Sequence, residues 1–237
     1  MKKYLYLEKY LSKLIKSLKN QDYKKYYDVH FYRHLNSYIY LNENNLLNKN
    51  YKILEIGSKT LFADLIKRFN QKIQIDSTHP NDLIYPFADK MKDKYDIILC
   101  MEVIEHIKDQ ESDELKDKVL FNESGINNLL SECNKLLKKD GKIFITTPNV
   151  NSYRSIVNLL YSGHPYNFKP HVRELSISDL KRLLKNNNLI TENIKFIDSW
   201  KDSMPNKNII KIIDKALEKL KIKNIKREDN IFILAKK

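Results

Sequence analysis

The residues best suited to chemistry in this sequence lie in one short block, Glu102-Val103-Ile104-Glu105-His106. The block follows an apolar segment, Tyr95 to Cys100, whose pattern predicts a buried strand. If a helical turn comes next, positions i, i+3 and i+4 share one face, which brings two carboxylates and an imidazole together. Such groups can take up a proton or bind a cation. Gathering several ionisable groups in one place costs free energy, so a cluster of them indicates a functional role. We therefore predict a functional site at the end of this strand.

A second candidate feature is the pair Gly57 and Asp76. Gly57 ends the short apolar segment Lys52 to Gly57, and a glycine between strand and helix lets backbone N–H groups approach a ligand closely. Asp76 lies nineteen residues further on, at the end of the next predicted strand, Lys72 to Asp76. An acid in that position can accept both hydroxyls of a ribose. The pair predicts a nucleoside cofactor, although an acidic strand end also serves as a helix cap or a solvated turn.

The elements that must position these residues alternate between strands and helices. Further predicted strands are Lys142 to Thr147, Ile194 to Ile197 and Ile231 to Leu234. Predicted helices are Leu61 to Phe69, Ile126 to Lys138, Ser178 to Asn186 and Lys207 to Leu220. This alternation favours an α/β fold with a largely parallel sheet. Because ligands of open α/β sheets bind at the carboxyl ends of the strands, we expect the site at that edge.

The N-terminal segment, residues 1–50, differs in pattern from the core, residues 51–237. Two amphipathic helices are predicted there, with apolar residues at helical spacing from Tyr4 to Leu18 and from Tyr23 to Tyr38. We interpret the segment as a helical cap that packs on the core. An alternative makes its tyrosines and histidines part of a substrate lid, because aromatic surfaces suit sugars and other flat ligands. The Tyr-rich helices also offer a surface on which a homodimer could form.

The composition argues for a reducing compartment and against nucleic acid as the partner. The net charge is +13, but nearly all of the basic excess is Lys, and the six Arg are scattered. A nucleic-acid surface should gather charge on one face and use Arg, the better phosphate ligand. Cys100 and Cys133 have neither metal-ligand spacing nor a disulfide framework, which predicts a cytoplasmic protein. Glu8, Lys9 and Lys13 interrupt any apolar run near Met1, so we expect no secretory signal there, and no segment approaches membrane-spanning length.

The blocks in combination resemble class I S-adenosylmethionine-dependent methyltransferases. The matching residues are Leu54-Glu55-Ile56-Gly57-Ser58, Asp76, Asp96 to His106, and Gly141 to Asn149. The segment Pro170 to Ser176 is similar to bacterial O-methyltransferases that act on polysaccharides and small molecules. The resemblance implies a Rossmann-like, mostly parallel sheet of seven strands with helices on both faces. It also implies that the last strand is antiparallel.

The same resemblance implies S-adenosylmethionine as cofactor and a glycan, a nucleotide-sugar or another small molecule as methyl acceptor. The residues that would bind the cofactor are Glu55, Gly57, Ser58, Asp76, Asp82, Met101 and Glu102.

The sequence departs from the family pattern in two places. The first loop of the family usually contains three glycines, whereas Gly57-Ser58-Lys59-Thr60-Leu61 keeps only the first. Lys59 could fold outward or could crowd the pocket. Only nine residues separate Asp76 from Pro86, so the helix and strand usual at this place are shortened. The altered loop leaves open a further interpretation, a binding protein on a methyltransferase fold that has lost its activity.

Methylation of a hydroxyl requires a base, for which His106 and His171 are the candidates because imidazole titrates near neutral pH. Structural roles are the alternative: His106 would cap its helix, and His171 would order the loop before Ser176. By resemblance, Glu102, Glu105, His106 and His171 also match the metal tetrad of RNA 2′-O-methyltransferases, which would suit Mg²⁺ or Mn²⁺. We favour activity without a metal, because the aromatic substrate signature of those RNA enzymes is missing around His171. A metal-assisted RNA methyltransferase is the alternative function.

One further segment, Asn151 to Pro170, follows the carboxyl end of a predicted strand. Loops in such positions commonly select the substrate, so we expect this segment to overlie the active site. The alternative is a plain helix followed by a turn at Gly163-His164-Pro165. The segment carries the side chains Tyr153, Arg154, Tyr161 and Tyr166.

Overall fold

A computed structural model describes residues 4–79, 83, 86–109, 124–168, 170–200, 205–222 and 225–237. In this part of the chain, six strands form a single sheet. They are β1 (Lys52–Glu55), β2 (Gln74–Ser77), β3 (Tyr95–Met101), β4 (Leu137–Pro148), β5 (Ile190–Ile197) and β6 (Asn230–Lys236). Their order across the sheet is β2-β1-β3-β4-β6-β5. The predicted strands are all present, with ends that differ by a few residues.

The sheet is parallel on one side and antiparallel on the other. Strands β1 to β4 run parallel, with Leu54 opposite both Asp76 and Ile98. The last strand, β6, is antiparallel to β4 and to β5, as the resemblance implied. The carboxyl ends of β1, β3 and β4 therefore meet at one edge, where the predicted site residues lie.

The prediction of seven strands is not met, because the described residues form six. The missing element would lie beyond β2, between Ser77 and the short helical turn Ala88–Lys90. A parallel crossover needs about a dozen or more residues, usually with a helix. The interval contains too few residues for a crossover helix and a further strand. Residues 80–82, 84 and 85 lie outside the described part of the chain.

Helices cover both faces of the sheet. They are α1 (Leu5–Ser17), α2 (Gln21–Val29), α3 (Phe31–Glu43), α4 (Leu61–Phe69), α5 (Gly125–Leu136), α6 (Tyr153–Ser162), α7 (Ile177–Asn186) and α8 (Lys207–Lys219). Leu130 of α5 and Leu184 of α7 pack against one face, beside Ile98. Helices α1, α3 and α4 pack against the other face, where Phe144 and Phe232 are fully buried. Alternate residues of each strand thus enter two separate apolar cores.

The N-terminal segment contains three helices rather than the two predicted. The second predicted helix is divided at His30, whose φ of −94° and ψ of 15° lie outside the helical range. The division lets α2 turn away from α3 and lie over the edge of the sheet. The hydroxyl of Tyr27 accepts a hydrogen bond of 3.2 Å from the N–H of Leu61, the first residue of α4. The boundary near residue 50 stays a prediction.

Two further expectations concern the cysteines and membrane segments. Cys100 and Cys133 are free and buried. Among the described residues, no helix has the length and apolar character needed to cross a membrane.

Candidate active site

A cavity of about 480 Å³ opens at the carboxyl ends of β1 and β3. This volume falls in the range of about 300–1,000 Å³ that is usual for small-molecule sites. Its walls are the loop after β1, the loop after β3, Leu83 and Tyr26 of α2. The predicted cofactor residues that line it are Glu55, Gly57, Ser58, Met101 and Glu102. Asp82 lies outside the described residues, so its predicted role stays a prediction.

The loop after β1 keeps its shape with a single glycine. Gly57 has a φ of +105°, a conformation that side-chain-bearing residues rarely adopt. Ser58 and Lys59 are not among the residues with positive φ, so side chains at these two positions cost no backbone strain. Lys59 is turned outward, where its ammonium lies 3.6 Å from Asp64. The loop has therefore lost two glycines without filling the cavity.

Glu55 fastens this loop to the start of α4. Its carboxylate accepts hydrogen bonds from the N–H and the hydroxyl of Thr60, at 3.0 and 2.5 Å. Thr60 in turn caps α4 by accepting the N–H of Phe62. Burial raises the pKa of Glu55, and the two bonds from Thr60 partly offset this rise. Glu55 thus connects the loop to the start of α4, in a loop that lacks two of the glycines usual in the family.

Asp76 points away from the cavity. Its carboxylate accepts a hydrogen bond of 3.1 Å from the hydroxyl of Tyr95 and lies 3.4 Å from the ammonium of Lys52. Both partners stand at the first residues of their strands, and Asp76 is not among the residues that line the cavity. Thr78 is closer to the loop, because its hydroxyl accepts the N–H of Gly57 at 2.8 Å. Both contacts use the same oxygen, Oδ2, and the predicted contact of Asp76 with a ribose stays a prediction.

Glu102 has a fixed position in the cavity wall. Its φ of +55° takes it out of helical geometry, so it does not share a helix face with Glu105 and His106 as predicted. One carboxylate oxygen accepts hydrogen bonds from Thr146 and Asn230, each at 3.0 Å. The other oxygen is 3.5 Å from a guanidinium nitrogen of Arg33.

Arg33 is a functional candidate that the sequence patterns did not single out. It comes from α3, is 4% exposed, and donates a hydrogen bond of 3.0 Å to the hydroxyl of Tyr26. Burial lowers the pKa of Arg33, but Tyr26 and Glu102 outweigh the burial, so that the pKa is raised and the charge is retained. Both partners line the cavity, whereas Arg33 itself is buried and lies in contact with them.

Glu105 enters the core instead of the cavity. Its side chain is fully buried, with one oxygen accepting the hydroxyl of Thr147 at 3.1 Å and the other without a partner among the described residues. Burial raises the pKa of Glu105 well above its ordinary value, and the charge of Glu102 adds to the rise. The backbone carbonyl of Glu105 accepts the N–H groups of Val172 and Arg173, which fastens the loop around His171.

His106 and His171 come together across this loop, with ring centres 4.8 Å apart. His106 lines the cavity, and its imidazole donates to the carbonyl of Pro170. Burial lowers the pKa of His106, and the neighbouring His171 lowers it further, which favours the neutral ring. Nδ1 of His171 is 2.7 Å from Glu174, which fixes the orientation of the ring. His171 thus contacts Glu174 within this loop and stands beside His106, the other candidate base, and the predicted roles of both rings stay predictions.

Three of the four predicted metal ligands converge. Glu105, His106 and His171 each offer one ligand atom, and these atoms lie within 4.8 Å of one another. The bond between His171 and Glu174 is the kind of outer contact that orients metal-binding histidines. The unpartnered oxygen of Glu105 lies 4.0 Å from Nε2 of His171. Glu102 is not part of this group, because Arg33, Thr146 and Asn230 hold it elsewhere.

A second cleft, of about 550 Å³, runs along α1 and is lined by Leu5, Glu8, Lys9, Ser12, Lys13, Lys16 and Phe31. It contains no strand end, no glycine loop and no histidine. We therefore place the site in the smaller cavity, where the groups suited to chemistry meet.

Comparison with known proteins shows the family to which the chain belongs. A family model described as a methyltransferase domain matches residues 44–192, more than half of the chain. The chain belongs to the methyltransferase-domain family. The match contains the loop after β1, the block from Glu102 to His106 and the segment around His171. It begins within the N-terminal segment, before β1.

Curated relatives of this methyltransferase-family chain match it over part of their length. The ubiquinone biosynthesis O-methyltransferase of Erwinia tasmaniensis is 22% identical over 152 residues, which are 64% of this chain and 50% of that protein. The protein of the same name from Klebsiella pneumoniae is 26% identical over 98 residues, which are 41% of this chain and 33% of that protein. The chain thus spans half or less of the relatives it matches.

Solved structures show the same fold. A SAM-dependent methyltransferase from Archaeoglobus fulgidus superposes with a TM-score of 0.51 at 18% identity, covering 90% of this chain and 99% of that one. The pyocyanin biosynthetic protein PhzM superposes with a TM-score of 0.53 at 11% identity, covering 96% and 61%. These similarities establish a Rossmann-like methyltransferase fold.

Proposed function

We propose that this protein transfers the methyl group of S-adenosylmethionine to an oxygen atom of a glycan, a nucleotide-sugar or another small molecule. The observation that carries the proposal is the arrangement at the carboxyl ends of β1 and β3. There, a cavity of suitable volume has Glu102 in one wall, with Arg33 as its buried charge partner, and His106 in another. The similarity to O-methyltransferases supports the choice of oxygen.

The charge pair suits the amino-acid part of the methyl donor, which carries one carboxylate and one ammonium group. Arg33 uses one N–H on Tyr26 and stands 3.5 Å from Glu102, so other N–H groups of its fork are free to bind the carboxylate of the donor. Glu102 offers the complementary negative charge for the ammonium group. The predicted contacts of Glu55, Gly57, Ser58, Met101, Asp76 and Asp82 with the donor remain part of this proposal.

The histidine pair suits removal of the proton from an acceptor hydroxyl. The methyl group on a sulfonium is already activated, so the protein has to align the acceptor oxygen with it and accept a proton. His106 is the proposed base, because it lines the cavity and its lowered pKa keeps the ring neutral. With one nitrogen donating to Pro170, the other nitrogen is free to take the proton. His171 is the second candidate base, and the centre of its ring lies 4.8 Å from the centre of the His106 ring.

A metal-assisted form of the same reaction is the second candidate, and the converging atoms of Glu105, His106 and His171 favour it. Two imidazoles and a carboxylate suit a divalent cation such as Mn²⁺ or Zn²⁺. A cation bound there would lower the pKa of an acceptor hydroxyl. An RNA hydroxyl is the alternative acceptor for this form.

The cytoplasmic location and a homodimer through the Tyr-rich helices stay predictions.

Transfer of label from methyl-tritiated S-adenosylmethionine tests the proposal. The protein is incubated with a cell extract that has been separated into small-molecule, glycan and RNA fractions. We expect alkali-stable label in the small-molecule or glycan fraction, and its loss in the His106→Ala and His171→Ala variants. Label in RNA would favour the alternative acceptor. Absence of label from every fraction, with the donor bound, would favour a fold that has lost its activity.

A chelation series distinguishes the two forms of the reaction. Transfer by the protein is measured in excess EDTA and after addition of Mg²⁺, Mn²⁺ or Zn²⁺. Full activity in EDTA excludes a required metal, and loss with recovery on addition assigns the cation. Glu105→Gln provides the matched variant, since it removes a proposed ligand that does not line the cavity.

A further inference from the structure

The side chain of Arg154 is a half-buried cation that forms no ion pair with a described residue. It projects from the first turn of α6, with its guanidinium carbon 4.7 Å from the centre of the Trp200 ring. Among the described residues, no side chain or carbonyl forms a hydrogen bond or an ion pair with this guanidinium. A half-buried guanidinium that stacks on a ring and lacks such partners has N–H donors available for a ligand.

The carboxylates nearest to Arg154 are already occupied. Burial lowers the pKa of Arg154, and the charges of Asp229 and Glu174 counteract this only in part. Glu174 accepts hydrogen bonds from Asn167 and stands 2.7 Å from Nδ1 of His171. Asp229 accepts the N–H groups of Ser199 and Trp200, at 2.8 and 3.2 Å. Neither acid forms an ion pair with Arg154. Their hydrogen bonds instead hold the residues around it, Asn167 and His171 on one side and Ser199 and Trp200 on the other.

Two further polar atoms near Arg154 lack hydrogen-bond partners among the described residues. Nε1 of Trp200 is buried and donates to no described residue, and Nδ1 of His30 is buried and unpartnered as well. The two rings meet edge to face with their centres 5.6 Å apart. An indole N–H can only donate, and a guanidinium likewise has donors alone. The group that would satisfy this cluster is therefore an acceptor, and beside a cation it is an anion.

The cluster adjoins the proposed methyl-donor cavity. His30 contacts Tyr26 with ring centres 4.4 Å apart, and Tyr26 lines the cavity. Burial and then the charges of Arg33 and Arg154 lower the pKa of His30 to about 3, so this ring lies near both guanidinium groups. Asp229, which holds the backbone of Trp200, precedes Asn230, which donates to Glu102 in the cavity wall.

We propose that Arg154, with the N–H groups of Trp200 and His30, binds an oxyanion group of the methyl acceptor, a carboxylate or a phosphate. This proposal rests on the proposed function and narrows its acceptor to an anionic molecule. The fork of an arginine matches the planar pair of carboxylate oxygens and two oxygens of a phosphate equally well. Arg33 is assigned to the donor, so a second arginine on the side of His171 and Glu174 serves the other substrate.

Trp200 is the only tryptophan, and its indole N–H therefore gives one resolvable resonance in a ¹⁵N–¹H spectrum. We would titrate the ¹⁵N-labelled protein with sodium benzoate and, separately, with sodium phosphate, keeping ionic strength constant with sodium chloride. We expect a saturable downfield shift of the indole resonance with the preferred anion. The two arms distinguish a carboxylate from a phosphate.

Arg154→Met is expected to weaken this binding at least tenfold. The matched control is Arg182→Met, since Arg182 is an exposed residue of α7 that is paired with Asp179. A shift no larger than that in chloride with both anions, or an equal shift in Arg154→Met, would overturn the proposal. Titration of the same proteins with S-adenosylmethionine distinguishes failure of the anion subsite from failure of the proposed function. If the donor binds and neither anion does, the subsite is wrong and the proposed function stands; if the donor fails to bind, the proposed function fails.

Discussion

A guanidinium nitrogen of Arg33 lies 3.5 Å from the carboxylate of Glu102, which joins the N-terminal helices to the loop after β3 at the wall of the candidate active site. The two side chains are 5% and 7% exposed, in a place where an isolated charge would be unfavourable. The N-terminal segment is therefore more than a cover for the sheet, because it supplies the buried positive charge that pairs with Glu102. This contact makes the role of Arg33 open to a direct test.

Arg33→Met should weaken binding of S-adenosylmethionine about 10- to 100-fold, since hydrogen bonds to charged groups contribute about 1.5–3 kcal/mol. Arg33→Lys should recover part of the affinity, because lysine keeps the positive charge but lacks the paired N–H donors of the guanidinium. Calorimetric titration measures both, with Arg182→Met as the surface control. Unchanged affinity in Arg33→Met would remove this residue from the donor site.

The sequence predicted most elements of the core, because their signals are local. Helix α4 has the predicted bounds, Leu61–Phe69, and Thr60 supplies the cap that starts it. Strands β3 and β6 differ from prediction at their ends alone, since their apolar residues are buried on both faces of the sheet. The antiparallel direction of β6 was implied by the family resemblance.

The features that were missed depend on contacts between distant parts of the chain. Nothing local to Arg33 or Arg154 shows that they approach Glu102 and Trp200. The helical face predicted for Glu102, Glu105 and His106 was wrong, because the positive φ of Glu102 breaks the turn. The amphipathic spacing continues across His30, so the sequence predicted one helix there. The interruption at His30 accompanies contacts of α2 with distant residues, such as that of Tyr27 with Leu61.

His106→Ala should reduce the rate of methyl transfer about 10²- to 10⁴-fold, the usual contribution of a general base. The affinity for S-adenosylmethionine should change far less, since the proposed role of the ring is toward the acceptor. Single-turnover rates with labelled donor and separate calorimetry measure the two effects. His164→Ala is the control, because His164 is exposed in the turn after α6. Equal losses of rate in the two variants would contradict the assignment.

The stability of the protein should fall as the pH is lowered below about 6.5, the ordinary pKa of histidine. Burial lowers the pKa of His34 far below that value and the pKa of His30 to about 3, so the folded state keeps both rings neutral. The unfolded chain takes up protons in this range, which favours unfolding as pH falls. Each ring contributes up to about 1.4 kcal/mol per pH unit.

His34→Phe isolates one of these contributions. Neither ring nitrogen of His34 has a described partner, and the ring contacts Tyr27 and Phe62, so phenylalanine fits the surroundings. Urea unfolding between pH 7 and 4.5 should show a smaller pH dependence than in the wild type, with stability at pH 7 equal or higher. A dependence identical to the wild type would show that His34 titrates normally.

Gly57→Ala should destabilise the fold by about 1–2 kcal/mol, because alanine is strained at a φ of +105°. Gly163→Ala is the matched variant, with a φ of +69° at a helix end in open space. Both should lower the melting temperature, but Gly57→Ala alone should also weaken binding of S-adenosylmethionine. Equal donor affinities in the two variants would show that the loop after β1 does not contact the donor.

We predict that the cavity between the Gly57 loop and Glu102 binds S-adenosylmethionine although two glycines of the loop are replaced. Calorimetric titration of the wild-type protein with S-adenosylmethionine, and with its demethylated product S-adenosylhomocysteine, tests it most directly. We predict saturable binding of both at one site per chain. Absence of binding by either compound up to about 1 mM, equivalent to an affinity weaker than about 4 kcal/mol, would contradict the account.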